Sequence, residues 1–411
     1  MTSETANGNQ PLANPDVEEK TSKPKRNWRR WCCCLPIILI LLMIVVVTIV
    51  ILVEENKQDQ KISNRAKPES YSEIFNTNLP PDYTVAATDE EKFNQKIIEL
   101  LKKYDSGTSN FSEIGENKSP LLTADQAIEL AKSDIKFLKD YYPEGYFIVV
   151  NSVLKTAEKD QIFPNFYLRS NEENDRIGLV VHELSHIGGF AHKEISKRGY
   201  VIDDQFVTLP IESKILVSDD LQSFLDNPAS SGMPTSNELT KFISEPATMD
   251  KVYLEKSKQD IYTTLDEIIS YAKDTRVTRA YNYSKKGDID ESRPQALSRQ
   301  LYYLSLQLKN IKENYPEKWQ DLKNEKGFSY LLLREVSIAM TEIQASEDEG
   351  ADKFSGSSDF AFSIDKNLSL FNQNQPLFDE LLTATGINTS NNPQTLAKDE
   401  LIKFGIGFEK F

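Results

Sequence analysis

Residues 181–192 read VHELSHIGGFAH and hold all three histidines of a 411-residue chain. His182 and His186 stand four apart, which on a helix sets both imidazoles on one face, one turn apart, where they can bind the same ion. The helix that carries them should begin near the capping-box pattern Ser170-Asn171-Glu172-Glu173, with Ile177, Val181, Leu184 and Ile187 as its inward face. Glu183 follows the first histidine directly. That is the position of a general base for a zinc-bound water, whose pKa zinc lowers to about 7, so that a carboxylate can take its proton near neutrality. A core histidine satisfied by one hydrogen bond accounts for a lone His but not for this clustering in so histidine-poor a chain.

The stretch also meets the longer form H-E-x-x-H-x-x-G-x-x-H, with Gly189 and His192 in its last fixed positions. In this it resembles the metzincin metallopeptidases, over residues 182–192 and little else. The resemblance implies zinc as cofactor and a zincin-like α+β domain with an active-site helix and a mixed sheet. It implies His192 as the third metal ligand, with Gly189 letting the chain leave the helix so that His192 can swing back. It also implies a methionine turn, for which Met233 and Met249 qualify and Met249 is preferred. A competing scheme takes the third ligand as a Glu on a later helix, and Glu267 suits it. Ile261, Leu265, Ile268 and Ala272 form a core stripe there, which leaves Glu267, Tyr271 and Asp274 together on another face. The expectation is His192 as third ligand, because Gly188-Gly189 offers the helix exit, with Glu267 as the alternative. Tyr253, Tyr271, Arg276 and Tyr281 are candidates for steadying a developing oxyanion.

Around this centre, helices are expected at 90–104, where Phe93, Ile97, Leu100 and Leu101 recur, and at 121–142, with Thr123 as cap. Residues 145–154 (GYFIVVNSVL) and 163–168 read as strands, being rich in β-branched and aromatic residues, and a further short strand is expected at 200–209. From residue 260 onward helical patterns dominate, at 260–276, 294–314 and 316–345. The metallopeptidase domain is accordingly placed at 121–285 and a mostly helical C-terminal region at 286–411.

Residues 32–53 (CCCLPIILILLMIVVVTIVILV) carry no charge and are long enough to cross a bilayer once as a helix. Lys20, Lys23, Lys25, Arg26, Arg29 and Arg30 precede the run and Glu54 and Glu55 follow it, so the N-terminus should stay in the cytoplasm and the bulk lie outside the cell membrane. Residues 1–31 read as a disordered tail and 54–120 as a stalk or pro-segment. Cys32, Cys33 and Cys34 sit at the inner edge of the span, where a cysteine is a candidate for acylation. No cysteine follows them, which removes disulfides and a cysteine nucleophile from the outer part. A net charge of −15 opposes the basic face that nucleic acid requires.

The expected function is that of a single-pass, membrane-anchored zinc metallopeptidase, hydrolysing peptide bonds of a peptide or protein substrate outside the cytoplasmic membrane. Two alternatives stand beside it: a surface binding or structural module with a non-catalytic zinc site, and a zinc hydrolase of a non-peptide substrate. The intact Glu183 weighs against the first, since a structural site closes its fourth position with protein and has no use for a base.

Overall fold

Thr123 opens a helix as its spacing predicts: its Oγ1 accepts from Gln126 N at 3.4 Å while Gln126 Oε1 accepts from Thr123 N at 3.0 Å. Such reciprocal satisfaction of free amides fixes where a helix begins. The computed structural model describes residues 84–105, 122–155, 162–169, 173–190, 197–202, 205–212, 233–243, 250–256, 259–285, 292–348, 364–386 and 407–410. These form helices α1 (Ala87–Asp105), α2 (Ala124–Tyr141), α3 (Pro143–Lys155), α4 (Ile162–Arg169) and α5 (Glu173–Phe190). Strands β1 (Lys197–Ile202) and β2 (Gln205–Glu212) follow, then α6 (Ile261–Lys285), α7 (Ser292–Asn314), α8 (Pro316–Asn324), α9 (Lys326–Asp348), α10 (Ile364–Asn372), α11 (Gln375–Thr385) and β3 (Gly407–Lys410). A 3₁₀ helix at Ser236–Phe242 and a π-helix at Lys251–Lys256 lie between β2 and α6. All of this falls within one compact unit, residues 66–411. The tail at 1–31, the apolar run at 32–53, the possible helix cap at 170–172, Met249 and His192 lie outside the described residues. Among the described residues no helix is long and apolar enough to cross a membrane.

The expected zincin-like α+β architecture with a mixed sheet is overturned. The only sheet among the described residues is small and antiparallel throughout, in the order β1-β2-β3, and the rest is helical. Residues 145–154, read as a strand, lie inside α3. That helix starts on Pro143, which suits a first helical turn, and is buried on nearly every side. An apolar run without a solvated face has no 3.6-residue period to display, and its β-branched residues then mimic a strand. Residues 163–168 are likewise helical, with Phe163 and Tyr167 one turn apart in the core. The strand expected at 200–209 is a hairpin, β1 and β2 pairing Ile202 with Gln205. The helix expected at 316–345 breaks at Glu325 into α8 and α9.

Among the described residues three hydrophobic clusters result, and α6 takes part in the two larger ones; the third joins Leu239, Ile243 and Leu254 to Tyr302, Tyr303 and Leu306 of α7. The first gathers α1 to α5 with Val277, Ala280 and Tyr281 from the later half of α6. The second gathers α7 to α11 around Ile261, Leu265, Ile268 and Ala272 from its earlier half. β1 divides its side chains the same way, Val201 into the first core and Tyr200 and Ile202 into the second, as strand alternation requires. Buried charge ties the same seam. Arg276 on α6 donates from Nη1 to Glu144 Oε2 at 2.9 Å on α3 and from Nε to Glu342 Oε1 at 2.8 Å on α9, and Arg279 reaches Glu342 Oε2 at 2.6 Å. Burial alone would raise the Glu342 pKa, but the two guanidinium groups outweigh it and hold it below the usual carboxylate value. Within the first core, Arg176 on α5 pairs with Asp134 on α2 at 2.9 Å, both buried.

Candidate metal centre

Helices α5 and α6 pack closely, and their contact places the chemistry. His182 and His186 project from one face of α5, their Nε2 atoms 3.1 Å apart. Glu267 on α6 brings Oε2 to 3.6 Å from His182 Nε2 and 3.7 Å from His186 Nε2. A point equidistant from these three atoms lies about 2.0 Å from each, the bond length zinc makes to imidazole nitrogen and carboxylate oxygen. The three residues also form the one His/Cys/Asp/Glu group of metal-binding geometry among the described residues. Glu267 Oε2 is buried without a hydrogen-bond partner, whereas its Oε1 accepts from Gln259 Nε2 at 3.3 Å. A buried carboxylate oxygen left unsatisfied is costly, and a cation at the equidistant point would satisfy it. The donor set of two imidazoles and one carboxylate therefore fits zinc.

The neighbours of His186 set which of its ring nitrogens faces that point. His186 Nδ1 lies 2.8 Å from Asp266 Oδ2, with Ser270 Oγ at 3.3 Å. A carboxylate that accepts from Nδ1–H leaves Nε2 free to bind a metal. Burial disfavours the charged form of His186, but Asp266 and Glu267 outweigh it and hold the imidazole pKa well above the usual histidine value. Burial likewise opposes ionisation of Glu267, yet His186 and His182 pull its pKa down to about 2. The pocket is thus an acidic surround that favours positive charge between the imidazoles and Glu267.

A pair of tyrosines adjoins His182. The Tyr271 ring stands edge-on to the His182 ring with centroids 4.4 Å apart, and its hydroxyl is 2.5 Å from that of Tyr253. Tyr253 is carried in by the π-helix, a distortion frequent at functional sites. Burial, then the neighbouring Tyr271 and Glu267, push the Tyr253 pKa well above its ordinary value, and Glu183 adds to the effect. Glu183 therefore bears electrostatically on Tyr253. Burial also raises the Tyr271 pKa, followed by Glu267. Both hydroxyls keep their protons at neutral pH.

The sequence-derived residues divide accordingly. His182, His186, Glu267, Tyr253 and Tyr271 come together. Arg276 is engaged by Glu144 and Glu342, and Tyr281 packs in the first core against Phe137 at 5.6 Å. Met233 packs against the second core. Gly188 and Gly189 fall in the last turn of α5, which ends at Phe190, and His192 lies beyond the described residues. Asp266 and Ser270 went unnoticed in the sequence. Asp266 carried one usable signal, its place beside Glu267 on a helix already suspected of supplying a ligand. Comparison of the chain with protein-family models, with curated proteins and with solved structures gave no match.

Proposed function

We propose that the chain is a zinc-dependent peptidase in which His182, His186 and Glu267 hold the metal and Glu183 moves the proton. The observation that supports this is the convergence of two Nε2 atoms and an otherwise unsatisfied Oε2 on one point, with a carboxylate adjacent in sequence to the first histidine. Three protein ligands leave a fourth position for reactants, the arrangement of catalytic rather than structural zinc. When bound, zinc supplies Lewis acidity that polarises a scissile carbonyl and makes water more acidic. Glu183 accepts the proton of the attacking water and returns it to the leaving amine. Asp266 keeps His186 in one tautomer through the Nδ1 contact. Tyr253, backed by Tyr271, donates its O–H to the oxygen on which negative charge develops. The reading includes the anchor: residues 32–53 hold the peptidase on the outer side of the cytoplasmic membrane, where its peptide or protein substrates lie.

Purified full-length chain in detergent should retain one zinc per molecule after dialysis and cleave a denatured protein substrate. A chelator should abolish the cleavage and added zinc restore it. A chain that takes up no zinc, or cleaves equally in chelator, rejects the proposal. In the same assay Tyr253→Phe should keep its zinc and lose roughly 10²-fold in kcat, the cost of removing one oxyanion donor. An unchanged kcat would remove Tyr253 from the mechanism.

A further inference from the structure

Gly178 lies on α5 one turn before His182, and a Cβ built there would stand 2.0 Å from Asp274 Oδ1 on α6. Only glycine at 178 lets that carboxylate reach its place. Asp274 is fully buried, and Arg293 at the start of α7 holds its Oδ2 at 3.2 Å. The same Oδ2 lies 4.0 Å from His182 Nδ1, a buried nitrogen without a hydrogen-bond partner.

The order of these contacts matters. His186 faces Asp266 and His182 faces Asp274, so the two helices run in opposite directions and each histidine meets its own carboxylate from α6. Metal-binding histidines almost always donate their second ring N–H to such a group, which fixes the ring and strengthens the ligand. His186 has this partner at hydrogen-bond distance, whereas the His182 partner stands just beyond it.

We propose that Asp274 is the positioning carboxylate of His182, seated against the bare Cα of Gly178 and held by Arg293, and that it orients the ring for metal binding. The inference rests on the zinc reading above and adds to it a group that touches neither metal nor substrate. Gly178 serves the centre through Asp274, since a methyl group at 178 would force the carboxylate away from His182.

The test uses full-length chain, zinc affinity by competition with a chromophoric chelator, and the visible spectrum of the cobalt(II) form. Asp274→Asn should bind zinc roughly 10–100-fold more weakly, as loss of a group supporting a ligand does, and its cobalt bands should shift because His182 is no longer held in one orientation. Gly178→Ala changes no polar group and favours the helix by propensity, yet it should weaken zinc binding to a similar degree. If Asp274→Asn does not fold, Gly178→Ala decides alone. Unchanged affinity together with unchanged cobalt bands in either folded variant overturns the inference. Failure of the unaltered chain to bind zinc would instead overturn the reading of the centre itself.

Discussion

Glu267→Ala should leave the chain unable to retain zinc. Removal of Oε2 takes away one of three converging donors and leaves the ion two imidazoles, fewer protein ligands than catalytic zinc sites provide. The loss in affinity should therefore far exceed the roughly 10–100-fold that removal of a supporting group costs. His192→Ala is the matched control, and it should keep its zinc. The contrast is sharp because the two schemes differ in the third donor alone: Glu267 Oε2 converges on the histidines, whereas the metzincin arrangement takes an imidazole from residue 192. Metal content of the two variants after dialysis gives the answer. If His192→Ala loses zinc while Glu267→Ala keeps it, the Glu-ligand centre is wrong and the resemblance to metzincins regains its force.

The second large effect concerns Glu183. Glu183→Gln preserves shape and hydrogen-bonding capacity but cannot accept a proton, so turnover should fall by roughly 10²–10⁴-fold, the range for loss of a general base. Zinc content should stay that of the unaltered chain, because Glu183 is not among the three converging donors. KM should change little, since the lost interaction develops only in the transition state. Turnover within a few-fold of the unaltered chain would remove Glu183 from its role. Loss of zinc along with activity would assign it to the metal instead.

The centre was partly legible because helical periodicity is a local property. His182 and His186 needed only four residues of chain to declare a shared face, and the face carrying Glu267 and Tyr271 followed from the apolar stripe of Ile261, Leu265, Ile268 and Ala272. That Glu267 faces both histidines depended on how α5 and α6 meet, which no local pattern encodes. The meaning of Gly178 was hidden for the same reason, since a glycine inside a helix reads as a small defect until the group opposite it is known. The sheet was misjudged at 145–154 because burial on nearly all sides erased the signal that separates helix from strand. α2 and α7, each with at least one clear start signal or an unbroken pattern, were placed nearly to the residue.

The ligands are divided between the two larger cores: the histidines stand on a helix of the first, and Glu267 on the half of α6 that serves the second. An ion at their meeting point therefore binds only a chain whose halves are already joined, and each binding event withdraws a molecule from the opened population on which other proteases feed. Without the ion, the junction must hold a carboxylate oxygen with nothing to satisfy it. If zinc binds as proposed, a chain supplied with the ion should open less often, and resist added protease longer, than one stripped of it.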